Sequence, residues 1–365
     1  MKARQPLVSL ITTGDGVGAF PRIARWLLEA FEELEVPFDA VLVGVPNGVS
    51  EGEFTRRICL DVRARNSIPA LVRYLRRARP TITLAAPGHV VPFALAAGRM
   101  AGCSVLPWEQ TFFPADLADA TSRMSALPFL HRLTYGWARG VAAVSTDVAS
   151  HVRTVRNISR EHIHLVPNPV DAKAVREQAG SPQPRDGLFR FCTVGNLFRQ
   201  KGADVLLEAL AIAEPSLPRA WELMLVGDGP RRAELEALAR TRGIADHVTF
   251  HGEIANAYPV MARADVFVSP SRWEGFGVAL VEALSLGVPV VATACPGGPS
   301  EILAGGEHGL LVPSEDPAKL ADALIRIAAD DALRARLAVA GRERAENYAP
   351  RRVAERLVRL AREAA

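Results

Sequence analysis

The sequence is short of the residues that staple, anchor or electrify a fold. Cysteine occurs only four times in 365 residues, as Cys59, Cys103, Cys192 and Cys295. None forms a C-x-x-C pair and none has histidines at ligand spacing, which excludes a disulfide framework and a cysteine-built zinc site. Free, buried thiols in a reducing compartment are expected. No run reaches the ~18 consecutive apolar residues of a membrane span. The apolar stretch 7–11 is too short for a signal-peptide core, and no A-x-A-like site follows it. The expected location is cytoplasmic, or at most peripheral on the inner face of a cell membrane. A net charge of +3 and a pI near 8.8 are too mild for a nucleic-acid binder, so no nucleic-acid partner is expected. Lysine is also scarce: Lys2, Lys173, Lys201 and Lys319 are the only four, and arginine supplies the rest of the cations. A lysine inside a glycine-bearing motif therefore stands out.

What is present is a regular alternation. Short β-branched runs at 7–12, 40–45, 81–85, 104–106, 140–145 and 164–167 are separated by Ala/Leu/Arg stretches of helical period, such as 21–34 and 68–78. That is the pattern of a parallel sheet covered by helices, an α/β fold. The pattern breaks at 171–187, "DAKAVREQAGSPQPRDG", a polar segment read as an interdomain linker. A second series follows at 189–194, 221–226, 247–250, 266–269, 288–292 and 309–312. Two doubly wound, Rossmann-like domains facing a cleft are expected, at 1–172 and 173–347. A terminal helix, 348–365, docks back to complete the first.

Three stretches carry candidate chemistry. Between the first strand and its helix lies Gly14-Asp15-Gly16-Val17-Gly18, where glycines let backbone N–H groups approach a ligand at a helix N-terminus. The spacing resembles a dinucleotide fingerprint, but 45–47, Val-Pro-Asn, supplies no acid for a ribose, which argues against NAD. Gly16 and Gly18 remain ligand-approach candidates, beside the plainer reading of a tight turn. The second stretch, "GNLFRQKG" (195–202), follows the first strand of domain two. There Arg199 and Lys201 sit beside helix N–H groups, a setting suited to a diphosphate, although the turn alone reads equally as a solvated basic one. The third is 269–284, where a strand ends, Glu274 lies in a loop, and residues 275–278 form the first turn of a helix carrying Glu282. Free N–H groups at Phe276, Gly277 and Val278 would face the strand ends. A carboxylate at Glu282 can accept from the two hydroxyls of a ribose.

These stretches, with "LVPNPVD" (165–171), "LMLVGDGP" (223–230), "VTFHGEI" (248–254) and the long run 264–303, resemble the retaining GT-B glycosyltransferases of family 4, the glycosyl transferases group 1. The resemblance implies a GT-B fold that binds a nucleoside-diphosphate sugar in domain two. It implies transfer of the sugar, with retention and without a metal or other cofactor, to a glycan or lipid-linked acceptor in polysaccharide or glycoconjugate biosynthesis. Residue by residue, Lys201 would hold the diphosphate, Glu282 the ribose and Glu274 the sugar beside the Phe276–Val278 amides. Ile254 would pack near the base. Asn196 stands where the family often has arginine, and Arg199 is the candidate substitute. In domain one, "TITLAAPGHVVPFALAAGRMAG" (81–102) places His89 near the reacting sugar, and "LPWEQTF" (106–112) carries Glu109 on the acceptor side. The sequence has no D-x-D, in keeping with metal-free transfer. A sugar-nucleotide epimerase and a non-catalytic nucleotide-sugar-binding protein are the alternatives. The eight arginines of 56–79 read either as a basic helical face that meets anionic lipid or as a solvated helix face in an arginine-rich chain.

Overall fold

The computed structural model describes residues 7–13, 20–45, 48–112, 127–156, 158–181, 187–218 and 220–363. The chain divides into two units: unit 1 is Met1–Pro169 with Ala349–Ala365, and unit 2 is Val170–Tyr348.

Unit 1 is built on eight strands: β1 (Val8–Thr13), β2 (Phe38–Val43), β3 (Gly48–Glu51), β4 (Thr55–Leu60), β5 (Ile82–Ala85), β6 (Val105–Glu109), β7 (Val141–Ala143) and β8 (Ile163–Leu165). Their order is β3-β4-β2-β1-β5-β6-β7-β8. All neighbours run parallel except β3, which is antiparallel to β4 at the edge. Unit 2 holds β9 (Phe189–Val194), β10 (Trp221–Val226), β11 (Val248–Gly252), β12 (Val266–Ser269), β13 (Val290–Thr293) and β14 (Leu310–Val312). This sheet is wholly parallel, in the order β11-β10-β9-β12-β13-β14. In both sheets the strand order reverses beside the first strand, between β1 and β5 and between β9 and β12. Such a reversal opens a crevice at the carboxyl ends of the strands, where doubly wound folds bind ligands.

The apolar runs follow from this burial. A parallel strand covered on both faces has no solvent side, so β2 and β13 are buried at every residue. Helix Phe20–Glu33 buries Ile23, Trp26, Leu27, Ala30 and Phe31, spaced three and four apart as one face of a helix requires. The last helix, Pro350–Glu363, packs on it and buries Val353, Leu357 and Ala361. In unit 2, helix Ala203–Ala213 packs against helix Pro317–Ala329 over the same sheet.

Several expectations change. Residues 171–179 are not a free linker. Asp171 caps helix Ala172–Ala179 by accepting from the Ala174 N–H at 2.9 Å, and this helix buries Val175 against helix Val278–Leu286. An N-cap aspartate at a strand-to-helix junction was misread as loop polarity. Span 56–79 is not one basic helix either. It opens as strand β4, and only Ile68–Ala78 is α-helical. Arg56 is half-buried and tied to the interior: its Nε donates at 2.7 Å to Asp39, a carboxylate 1% exposed, which also accepts from Tyr74 at 2.7 Å. Burial and the Asp39 charge both push the Tyr74 phenol up from its ordinary range. Of the four thiols, Cys192 and Cys295 are buried, while Cys59 and Cys103 are half-buried. Among the described residues no helix is long and apolar enough to cross a membrane.

Candidate functional site

At the strand-order reversal of unit 2, the loops after β9 and β12 meet. Gly202 ends the first loop in the left-handed region, at φ 65°, and a Cβ there would stand 2.0 Å from the Pro270 carbonyl oxygen. Only glycine lets the two loops approach this closely. Further ties hold them together. The Arg272 N–H donates to the Gln200 carbonyl at 2.8 Å, and Gln200 Nε2 donates to the Trp273 carbonyl at 3.0 Å. Arg272 Nη1 reaches the Arg199 carbonyl at 2.9 Å.

Lys201 and Glu274 join across this seam. Lys201 Nζ donates to Glu274 Oε1 at 2.6 Å, and Ser271 Oγ donates to the same oxygen at 2.7 Å. Glu274 is 6% exposed, whereas the lysine side chain keeps 31% of its surface. Both described bonds fall on Oε1, so Oε2 accepts none among the described residues. The carboxylate is held through one oxygen, and its other oxygen keeps its capacity to accept. A buried charge needs such a partner, because desolvating it alone would cost several kcal/mol. Beneath the loop runs Gly297, at φ 125°, where a Cβ would lie 1.7 Å from the Glu274 carbonyl oxygen. Cys295 is close by. Burial, reinforced by the Glu274 charge, pushes its thiol up to about 12, so it is no nucleophile.

The helix after this loop starts later than its sequence suggests. It runs Val278–Leu286, with Gly277 at φ 100° as its N-cap, so 275–278 is not a helical turn. No acceptor among the described residues takes the N–H groups of Phe276, Gly277 or Val278. Phe276 is buried and packs edge-on against Tyr348 at 5.2 Å. This helix is apolar nearly all round, and Glu282 within it is 3% exposed. An acid in such a place needs a partner or a task. Tyr258 donates its hydroxyl to Glu282 Oε1 at 2.9 Å. Sequence reasoning missed Tyr258. Its signal was slight: an aromatic four residues past Ile254, opening a short helix marked by Pro259. Ile254 itself is half-buried in the same loop after β11.

The other candidates are more peripheral. Asn196 is exposed, and the exposed Arg199 side chain stands 3.8 Å from Glu315. Arg272, to which no role was given, grips Asp204 with both Nη atoms at 2.8 and 2.9 Å. Burial alone would raise the Asp204 pKa, but the hydrogen bonds and charges of Arg272 and Arg231 hold it down at about 2.

In unit 1, His89 follows β5 at the corresponding reversal. It borders a cavity of about 770 Å³ that Thr13, Arg63 and Arg65 also line. Glu109 ends β6 but is 4% exposed and accepts from the Tyr135 hydroxyl, so its carboxylate is turned into the interior. Gly16 and Gly18 lie outside the described residues.

Known proteins share this architecture. The sucrose-phosphate synthase of Thermosynechococcus elongatus superposes with a TM-score of 0.76 at 23% identity, over 98% of this chain and 99% of that one. The Anabaena protein Alr3699/HepE, solved in complex with UDP-glucose, gives 0.73 at 18% identity, over 99% and 100%. A family model described as glycosyl transferases group 1 matches residues 174–344. The lipopolysaccharide core biosynthesis glycosyltransferase LpsD of Rhizobium meliloti strain 1021 is 30% identical over 245 residues, 66% of this chain and 68% of that protein. LpsE of the same strain, another lipopolysaccharide core biosynthesis glycosyltransferase, is 38% identical over 151 residues, 41% of this chain and 43% of that one. With two other curated relatives the chain spans only 14% and 38% of their lengths. Two doubly wound units of this strand order define a GT-B protein. More particularly, the chain belongs to the glycosyl transferases group 1 family.

Proposed function

We propose that this chain is a retaining, metal-independent glycosyltransferase of family 4. It moves a sugar from a nucleoside-diphosphate donor to a glycan or lipid-linked acceptor in cell-surface polysaccharide or glycoconjugate assembly. The observation that carries this reading is the Lys201–Glu274 pair at the strand-order reversal of unit 2, with Glu282 on the helix that follows. Three groups of a donor find matching chemistry there. Glu282, steadied by Tyr258, accepts from ribose hydroxyls. Glu274 Oε2 and the amides of Phe276–Val278 face the sugar and the phosphate oxygens. Lys201 meets the charge that grows on the departing diphosphate, the place where preorganised positive charge lowers a barrier most.

Relatives support the substrate class. LpsD and LpsE bear names in lipopolysaccharide core biosynthesis, and HepE was solved with UDP-glucose. His89 acts near the transferred sugar, and Glu109, locked to Tyr135, shapes the acceptor side rather than touching the reacting atoms. The setting is cytoplasmic, with peripheral contact to an anionic membrane.

Thermal-shift screening against UDP-, GDP- and ADP-sugars, followed by turnover with and without EDTA, tests this reading. A donor should raise the melting temperature in proportion to its saturation. NMR of the product should show the donor's anomeric configuration preserved. Inversion, or loss of turnover on chelation, would overturn the mechanism. Conversion of the donor sugar without any acceptor would favour an epimerase.

A further inference from the structure

Unit 1 has a second cavity, also of about 770 Å³, along its edge strand β8 and apart from the strand-end site that His89 borders. Three segments distant in sequence build its wall. Helix Thr146–Arg156 supplies Arg153, the turn Arg160–His162 supplies Arg160, and helix Pro350–Glu363 supplies Arg356 and Arg359. One carboxylate, Glu363, lines the same space. Arg356 is anchored, its Nη1 donating to the Leu165 carbonyl at 2.9 Å.

The charge balance is unlike that of the paired arginines in unit 2. Arg231 is paired with Asp204 and Glu234, Arg232 with Asp228 and Glu236, and Arg272 with Asp204 and Glu315. Arg153, Arg160 and Arg359 have no carboxylate partner among the described residues. Four guanidinium groups around one cavity repel one another unless a ligand of opposite sign enters. Their planar forks fit phosphate oxygens two at a time, which ammonium groups do not. Leu165, 37% exposed, adds an apolar lip beside the charges.

We propose that this groove binds a phosphate-bearing anion, a mono- or diester of phosphate, at a site separate from the nucleotide-sugar pocket. The ester comes from an anionic lipid headgroup or from a soluble compound, and the two sources separate on testing. The proposal moves the membrane-facing charge from 56–79, where Arg56 is spent on Asp39, to a cluster that only the folded chain assembles.

The test uses the full chain and two probes at low ionic strength, where surface charge is least screened. One probe is inorganic pyrophosphate, followed by calorimetry. The other is vesicles of phosphatidylglycerol in phosphatidylcholine, followed by co-sedimentation, with pure phosphatidylcholine as reference. The double variant Arg153→Glu/Arg359→Glu should weaken binding of the responding probe about tenfold or more. The control Arg25→Glu/Arg351→Glu changes the net charge equally in unit 1, on helices Phe20–Glu33 and Pro350–Glu363 but outside the cavity lining, at arginines already paired with Glu29 and Glu355. It should change binding little. Vesicle binding without pyrophosphate binding assigns the headgroup, and pyrophosphate binding assigns a soluble ester. No binding of either probe, or equal losses in both double variants, overturns the proposal. The donor-sugar thermal shift should survive in every variant, so its failure would count against the proposed function and not against this groove.

Discussion

The two units share a topology and differ in how their strand-order reversals are furnished. In unit 2 the loops after β9 and β12 are bonded to each other, and the lysine and glutamate they carry are already paired at 2.6 Å. In unit 1 the same place borders a cavity of about 770 Å³, in which Arg63 and Arg65 have no carboxylate partner among the described residues. One crevice holds its charges in position before any ligand arrives, while the other lines its cavity with Arg63, Arg65 and Asp61, with no ion pair to either arginine among the described residues. Under the proposed function, a common nucleotide part would reward the first arrangement, since preorganised groups need not be ordered on binding, and a variable acceptor would suit the second.

Variants can break this contrast, the largest effects being expected in unit 2. Lys201→Ala should lower kcat by about 10²–10³-fold in single-turnover assays, more than it weakens donor binding. It should also cost about 1–3 kcal/mol in urea denaturation, because the buried Glu274 is left with Ser271 but no cation. Adding Glu274→Gln should recover most of that stability and none of the rate. An unchanged rate in Lys201→Ala would remove the lysine from the mechanism. Glu282→Gln should weaken donor binding about 10–100-fold by calorimetry, and Tyr258→Phe by a smaller factor, since a hydrogen bond to a charged group contributes about 1.5–3 kcal/mol.

In unit 1, Arg63→Ala and Arg65→Ala should raise the acceptor KM about fivefold and leave donor affinity untouched, as loss of exposed cation contacts does. A fall in donor affinity would erase the distinction between the crevices. The smallest effect concerns acid. Asp204, held at about 2 against an ordinary 3.8, contributes stability that is complete above pH 4 and drains away as pH falls toward 2. The Arg272→Met variant should lose the share of that pH dependence that Arg272 supplies, Arg231 keeping the rest, in denaturation midpoints measured from pH 5 to 2.

Much of the fold was legible because parallel strands buried on both faces leave unbroken apolar runs. β9, β10 and β12 fall where such runs do, at 189–194, 221–226 and 266–269. β3 and β4 were not legible. β4 carries Arg56 and Arg57, and its polar pattern reflects an ion pair with Asp39 on the neighbouring strand, which no local periodicity announces. The site divides in the same way. Lys201, Glu274 and Glu282 stand out as charged residues in glycine-bearing or apolar surroundings. Tyr258, Ser271 and Arg272 act through partners 24, 3 and 68 positions away, and two of these separations are set by strand order and not by sequence. Glu109, expected on the acceptor side, has a partner the sequence did not announce, the Tyr135 hydroxyl.

The chain leaves unit 1 at Pro169 and returns to it at Ala349. The returning helix covers Phe20–Glu33 with Val353, Leu357 and Ala361. On the ribosome this reverses the order of completion. Unit 2 has all its strands before the helix that seals unit 1 has been synthesised, so the first unit made is the last to close. Until then the apolar face of Phe20–Glu33 stays uncovered, a surface for chaperones to shield and a point at which truncation before residue 349 would leave unit 2 intact and unit 1 prone to aggregate.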